Sequence, residues 1–206
     1  MSPGWITRYA ANAVSGIRIV LTPIFLIGVE RAPESGSAGW PAAVLFGLIA
    51  ASDFADGYVA RRFGVPSTLG RWLDHAADIS FVVPALAVYA WLGVAPWWVP
   101  AAIAISFAAY VADSLWRSRG ADGWPDLIGS RLGHAAGIMN YVLIGVLVGN
   151  ETVGVRWIPA AAMQALFWLV PAYCGAAIVA RFLGAPNLSR SRLNPEKPIK
   201  STDAHR

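Results

Sequence analysis

The chain has 206 residues, of which 56% are hydrophobic and only 14% are charged, with a formal net charge of +4. Soluble domains carry about 25% charged residues, and the apolar residues here run in blocks too long for strands or amphipathic helices. The composition therefore excludes an ordinary soluble domain and predicts an all-α, polytopic membrane protein, for which we expect no nucleic-acid partner.

Six apolar blocks are long enough to cross a bilayer, which takes about 20 helical residues. The predicted spans are residues 14–30, 40–58, 70–92, 95–116, 133–150 and 158–183. We expect them to form one transmembrane domain over residues 1–185, with no separate soluble domain. Residues 186–206 are polar, basic and rich in Pro and Ser, which predicts a disordered cytoplasmic tail that touches anionic lipid.

The N-terminal residues 1–13 mix Trp, Arg and Tyr, a composition that suits a short helix lying at the membrane interface. A disordered tail is the alternative. Arg18 follows within the first span, where a charge is costly unless it reaches the headgroups or meets an anion. We interpret Arg18 as a headgroup anchor, with a place in a phosphate site as the alternative.

The basic residues are distributed unequally between the predicted connections. Of the 16 Lys and Arg residues, only Arg31 and Arg156 fall in the connections between spans one and two and between spans five and six. The other 14 lie on the opposite side of the membrane. By the positive-inside tendency, both termini and the loop between spans two and three face the cytoplasm.

One stretch, residues 53–78, brings four carboxylates into this apolar sequence. Asp53 and Asp56 are three residues apart near the end of the second span, and Asp74 and Asp78 are four apart near the start of the third. Each pair therefore shares one face of a helix. Because antiparallel helices joined by a short loop pack together, we expect the four acids to converge.

Four converging carboxylates repel one another unless a positive group lies among them. Mg²⁺ or Mn²⁺ fits, since hard cations prefer oxygen ligands and bind alongside substrate phosphates. Zinc fits less well, because no Cys is near and His75 is the sole His of the stretch. Two other interpretations are an ion-pair network at the helix ends with Arg61, Arg62 and Arg71, and a transporter or channel with a cytoplasmic-side acidic cation site.

The stretch also resembles a known signature. Its residues follow the spacing D-x2-D-G-x2-A-R-x8-G-x3-D-x3-D over residues 53–78, which is similar to the complete signature of the CDP-alcohol phosphatidyltransferase family. The chain length and the six predicted spans fit that family as well. The resemblance implies an integral membrane enzyme of a bacterial-type plasma membrane, commonly a homodimer, that acts in phospholipid biosynthesis.

The resemblance further implies the reaction and the residues that perform it. A phosphatidyl group passes from a CDP-linked lipid such as CDP-diacylglycerol to an acceptor hydroxyl, with release of CMP and with divalent metal, two ions of Mg²⁺ or Mn²⁺. Asp53, Asp56, Asp74 and Asp78 would bind the metal, and Asp78 would also be the general base. The residues that would line the CDP site are Gly57, Ala60, Arg61 and Gly70.

The acceptor site rests on weaker signals. The first span resembles the start of bacterial phosphatidylglycerophosphate synthases, but residues 130–137, SRLGHAAG, lack the Lys-Thr pair expected there. The acceptor thus remains open between glycerol 3-phosphate and another polyol phosphate or small alcohol. The candidate acceptor residues are Arg117, Arg119, Arg131 and His134, and anchoring in the membrane is an equal alternative for the three arginines. Asp113 is expected to pair with an Arg or to line a polar pocket, not to bind metal.

Overall fold

The computed structural model describes residues 3–32, 39–63, 68–118, 127, 131–155 and 157–183, with only the backbone described for residues 3–15, 56–63, 69 and 131. It contains six α-helices: α1 (Pro3–Arg31), α2 (Gly39–Phe63), α3 (Thr68–Trp91), α4 (Trp98–Arg117), α5 (Arg131–Leu147) and α6 (Ala160–Phe182). A π-helical segment, Val148–Thr152, continues α5. No strand occurs in these ranges. The all-α prediction is confirmed.

Four helical segments are long and apolar enough to cross a membrane. They are Gly70–Trp91, Trp98–Arg117, Leu132–Thr152 and Ala160–Phe182. The apolar part of α2, Gly39–Ala55, is shorter than these four. The helices indicate an integral membrane protein, while six spans and a cytoplasmic orientation stay predictions.

The ends of the chain differ in how far the structure describes them. The interfacial helix expected over residues 1–13 is not a separate element, because α1 runs without a break from Pro3 to Arg31. The predicted tail, residues 186–206, lies outside the described residues. The turn between α3 and α4 is tight, with Gly93 at φ 73° and the amides of Val94 and Ala95 donating to the carbonyl of Tyr89.

The helices pack as two groups joined through α3. Helix α1 contacts α2 and α3, helix α4 contacts α6 and α3, and α5 lies against α2, α3 and α6. An aromatic core joins the first group to α5: the rings of Phe25 and Phe81 are 5.3 Å apart, and those of Phe81 and Tyr141 are 5.6 Å apart. These contacts hold α1, α3 and α5 together directly beside the acidic stretch.

The π-helical segment forms a polar junction at the end of α5. The Tyr89 hydroxyl and Thr152 Oγ1 are 2.6 Å apart, and the buried Asn150 accepts the amide of Ile158 at 3.0 Å. Gly39, at the start of α2, lies against the same segment, where an added Cβ would be 1.9 Å from the Thr152 carbonyl oxygen. Only glycine fits there.

Candidate functional site

A buried arginine lies at the centre of the acidic stretch. Arg18 Nη2 is 2.8 Å from Asp53 Oδ1, Nη1 contacts Asp78 Oδ1, and Nη1 is 3.9 Å from Asp74 Oδ1. We call these four residues the Arg18 cluster. The predicted convergence of acids therefore holds for Asp53, Asp74 and Asp78, and it holds around a guanidinium group from α1.

The sequence of α1 explains why Arg18 points inward. Arg18, Thr22, Phe25 and Val29 are all buried and recur at intervals of three and four residues, which is one face of a helix. Large apolar residues occupy the outer face, which suits contact with lipid. Those exposed near Arg18 are Ile17, Ile19, Val20 and Ile24. Thr22 Oγ1 also donates to the Arg18 carbonyl at 2.8 Å.

Helix α5 contributes a further polar contact to the Arg18 cluster. The Tyr141 hydroxyl donates a hydrogen bond of 3.2 Å to Asp78 Oδ1, and its ring stacks on Phe81. Among the described residues, both contacts to Asp78, from Arg18 and from Tyr141, use Oδ1. Oδ2 of Asp78 is therefore the oxygen that remains for other partners.

The ligand types at this site fit a divalent cation. Asp74, His75 and Asp78 each offer one ligand atom, and these three atoms lie within 4.8 Å of one another. The side chains of Asp53, Asp74 and Asp78 are 35%, 42% and 36% exposed, so a cation could reach their oxygens. Carboxylate oxygens are the ligands that Mg²⁺ and Mn²⁺ prefer. The buried Nδ1 of His75 has no hydrogen-bond partner within the described part of the chain.

Several predicted site residues fall where side chains are not described. Asp56, Gly57, Ala60 and Arg61 lie in the last turns of α2, and only their backbone is described. Gly70 is part of the first turn of α3 and is partly exposed, one turn before Asp74. The residues predicted to line the CDP site therefore lie on the same two helices as Asp53, Asp74 and Asp78, near the end of α2 and the start of α3.

A second ion-pair cluster joins α4 to α6. Arg117 Nε donates to Asp113 Oδ1 at 2.8 Å, Arg181 Nη1 donates to Asp113 Oδ2 at 2.9 Å, and Arg117 Nη2 donates to the Arg181 carbonyl at 3.1 Å. We call Asp113, Arg117 and Arg181 the Asp113 cluster. The prediction that Asp113 pairs with an arginine is confirmed.

Two rings connect the clusters. The guanidinium carbon of Arg181 lies 4.4 Å from the ring centroid of Tyr110, a cation–π distance. The ring of Tyr110 is in turn 5.3 Å from that of His75, which follows Asp74 in α3. The Asp113 cluster therefore lies next to the acidic face of α3.

The candidate acceptor residues are only partly described. Arg117 is half-exposed, with 45% of its side chain accessible, and belongs to the Asp113 cluster. His134 is exposed in the first turn of α5, the side chain of Arg131 is not described, and Arg119 lies outside the described residues. Sequence reasoning missed Arg181, which lies near the end of the predicted sixth span. Its position at the end of α6, level with the end of α4, was the available signal.

The interpretation of Arg18 as a headgroup anchor is wrong. Its side chain has 0% exposure and contacts carboxylates, whereas an anchor would extend from the bundle to the headgroups. The ion-pair network at the helix ends is only partly described, since the side chains of Arg61 and Arg62 are not. The guanidinium group that contacts Asp53 and Asp78 comes from α1, 35 and 60 residues away in sequence.

Comparison with known proteins identifies the family. The family model described as CDP-alcohol phosphatidyltransferase matches residues 8–182, which include both clusters. The chain belongs to the CDP-alcohol phosphatidyltransferase family. Membership favours an enzyme over the transporter or channel considered above, and the resemblance of residues 53–78 is confirmed.

Three curated relatives align with this chain over 90 to 100 residues. A Streptomyces coelicolor "Cardiolipin synthase (CMP-forming)" is 40% identical over 90 residues, covering 42% of this chain and 41% of the relative. A Mycobacterium tuberculosis "Probable phosphatidylglycerophosphate synthase" is 32% identical over 90 residues, covering 43% of each. A Bacillus subtilis "CDP-diacylglycerol–glycerol-3-phosphate 3-phosphatidyltransferase" is 33% identical over 100 residues, covering 42% of this chain and 50% of the relative.

The matches span half or less of the length of these relatives. Two of the names give cardiolipin or phosphatidylglycerophosphate as the product, and the third gives glycerol 3-phosphate as a substrate.

Proposed function

We propose that the protein transfers a phosphatidyl group from a CDP-alcohol such as CDP-diacylglycerol to an acceptor hydroxyl, releasing CMP, with a divalent cation. The observation that carries the proposal is the meeting of Asp53, Asp74 and Asp78 in one partly accessible group within a bundle of apolar helices. Such a site suits a donor whose acyl chains stay in lipid while its diphosphate group meets polar side chains.

The acidic side chains would bind the cation, and one of them would accept the proton of the acceptor hydroxyl. Asp53, Asp56, Asp74 and Asp78 are the proposed ligands for Mg²⁺ or Mn²⁺, in two ions as the family implies. When bound, the cation would neutralise the diphosphate and stabilise the departing CMP. The bond between phosphorus and the CMP oxygen breaks while a bond from the acceptor oxygen to phosphorus forms.

The acceptor hydroxyl loses its proton during this transfer, and Asp78 is the proposed general base. Arg18 and Tyr141 both contact Oδ1 of Asp78, which leaves Oδ2 to accept the proton. These two contacts would also fix the orientation of the carboxylate. Gly57, Ala60, Arg61 and Gly70 would line the CDP moiety, where small residues allow close approach of the nucleotide.

We propose that the acceptor carries a phosphate group, as glycerol 3-phosphate and other polyol phosphates do. The Asp113 cluster supports this, because it holds two guanidinium groups for one carboxylate and its Arg117 is accessible. Arg119, Arg131 and His134 follow close in sequence and would extend the basic surface. The remaining parts of the proposal are a cytoplasmic site, cytoplasmic termini and a homodimer in the plasma membrane.

The deciding experiment offers the purified protein CDP-diacylglycerol and a panel of acceptors, and it measures CMP release together with the lipid product. The panel contains glycerol 3-phosphate, a second polyol phosphate, phosphatidylglycerol and unphosphorylated glycerol. We expect CMP release with at least one phosphate-bearing acceptor and little with glycerol. Absence of CMP release with every acceptor would overturn the proposed function, and preference for glycerol would overturn only the acceptor class.

A further inference from the structure

We propose that Arg18 is a positioning residue that couples the binding of the divalent cation to the binding of the donor's diphosphate group. The inference rests on the proposed transferase function and deepens it. It assigns a role to a side chain of α1, outside the acidic stretch of residues 53–78. The starting point is a full positive charge with 0% exposure, in direct contact with two carboxylates and 3.9 Å from a third.

The members of the Arg18 cluster differ sharply in accessibility. Arg18 is completely buried, whereas the side chains of Asp53, Asp74 and Asp78 are between 35% and 42% exposed. The guanidinium group therefore approaches the carboxylates from the interior of the bundle. Ligands from solution approach the same carboxylates from the accessible side.

A buried guanidinium group needs anionic partners in every state of the protein. Arg18 cannot escape the requirement by losing its proton, because arginine stays protonated in proteins. Leaving one charge of a buried ion pair without its partner is strongly unfavourable. In the structure Asp53 and Asp78 meet the requirement by direct contact, and Asp74 adds to it at longer range.

A cation and Arg18 must therefore compete for the same negative charge. A divalent cation held by these carboxylates would repel the guanidinium group and weaken its ion pairs. Without another anion, Arg18 thus opposes cation binding. A diphosphate group brings new negative charge, so cation and Arg18 can both be neutralised once it is present. Cation and diphosphate are then expected to strengthen each other's binding, by a reciprocal factor.

Arg18 also has a task before any ligand arrives. Carboxylates this close together repel one another in a partly desolvated site. The guanidinium group, with its several N–H donors in one plane, holds them in position on α2 and α3. Arg18 thereby keeps the cluster assembled but lowers its affinity for a cation until the donor is bound.

The test measures Mn²⁺ binding to the full-length protein in detergent by electron paramagnetic resonance, with and without CDP as the diphosphate probe. For the wild type we expect CDP to lower the Mn²⁺ Kd by a factor within the usual range of coupling, about 5- to 150-fold. In R18Q we expect tighter Mn²⁺ binding without CDP, and a much smaller effect of CDP. The matched control is R31Q, which removes an exposed arginine from the last turn of the same helix and is expected to behave as wild type.

Two outcomes would overturn the coupling: a wild-type Mn²⁺ Kd that does not respond to CDP, or a folded R18Q that binds Mn²⁺ more weakly than wild type without CDP. If R18Q does not fold, R18K takes its place, because lysine keeps the charge but not the planar group. CDP is then expected to tighten Mn²⁺ binding still, and a folded R18K without this response would also overturn the coupling. If the wild type releases CMP but its Mn²⁺ Kd does not respond to CDP, only this inference is overturned. If it releases no CMP with any acceptor, the proposed function is overturned.

Discussion

The Arg18 cluster and the Asp113 cluster are built from the same residue types in opposite proportions. Counted over the side chains that the structure describes, one guanidinium group faces three carboxylates in the first, and one carboxylate holds two guanidinium groups in the second. The first therefore carries excess negative charge and the second excess positive charge. They lie close together, joined by the rings of His75 and Tyr110.

The two clusters also follow one rule of burial. In each cluster the single residue of opposite charge is the buried one: the Arg18 side chain has 0% exposure and the Asp113 side chain has 7%. The more numerous charges reach the surface at the three acids in one cluster and at Arg117 in the other, whereas Arg181 is only 12% exposed. In each case the buried ion holds the group together, while the accessible ions carry charge that a ligand can neutralise. The comparison predicts that the Arg18 cluster binds a cation and that the neighbouring Asp113 cluster binds an anion.

Removing the metal is expected to have the largest effect. Because the proposed phosphoryl transfer would require a divalent cation at the Arg18 cluster, EDTA should reduce CMP release to background, and added Mg²⁺ or Mn²⁺ should restore it. Release is followed with CDP-diacylglycerol and the preferred acceptor, and EDTA saturated beforehand with Mg²⁺ is the control. Full turnover in EDTA would contradict a cation-binding role for this cluster.

Asp78→Asn is expected to lower CMP release by about 10²- to 10⁴-fold, since general-base catalysis contributes that much. The amide keeps the shape of the side chain and an acceptor for Tyr141, so some binding of the CDP-lipid should remain. Turnover and CDP-lipid binding are measured on the same preparation. Glu30→Gln, at an exposed position near the end of α1, is the matched control. Turnover near wild type would remove Asp78 from the role of base.

Asp113→Asn is expected to destabilise the fold by about 3 kcal/mol, because it leaves the mostly buried Arg181 without its carboxylate. The measurement is thermal unfolding in detergent. The variant that combines Asp113→Asn with Arg181→Gln should recover part of the loss, since it removes the unpaired charge as well. Equal stability of Asp113→Asn and wild type would show that the buried carboxylate does not hold its cluster together.

The smallest effect is expected at the three candidate acceptor arginines. Replacing Arg117, Arg119 and Arg131 by Gln should raise the acceptor KM about tenfold, as for the loss of a charged hydrogen bond of roughly 1.5 kcal/mol or more. The donor KM should change much less, and it serves as the internal control. Equal increases in both KM values would favour membrane anchoring, and the positive excess near Asp113 would then have no role in acceptor binding.

Much of the helical framework could be predicted from the positions of the apolar blocks in the sequence. Each predicted span overlaps one helix, because long apolar blocks and the Gly- and Pro-containing connections are local signals. The start of α1 at Pro3 and the π-helical segment Val148–Thr152 were not predicted. The π-helical segment depends on partners far away in sequence, such as Tyr89 for Thr152, and no local pattern contains them.

The acidic residues of the candidate site could be predicted from the sequence, but the arginine that pairs with them could not. Asp53, Asp74 and Asp78 were predictable because their spacing puts them on facing helices joined by a short loop. Arg18 lies 60 residues from Asp78, and its sequence neighbours are apolar on every side. Its membership follows from the rotation of α1, which long-range packing against Phe81 and the rest of the core determines.

Gly39 affects a part of the molecule that it does not touch. Since no side chain fits between its Cα and the Thr152 carbonyl, the first residue of α2 is set at one height along the bundle. Asp53 follows in the same helix, about 21 Å further along at 1.5 Å per residue. A rigid helix transmits an axial displacement over its whole length, so this contact limits how far α2 can shift along its axis. The Gly39 contact therefore helps to set the height of Asp53 relative to Arg18, although it lies about four turns away.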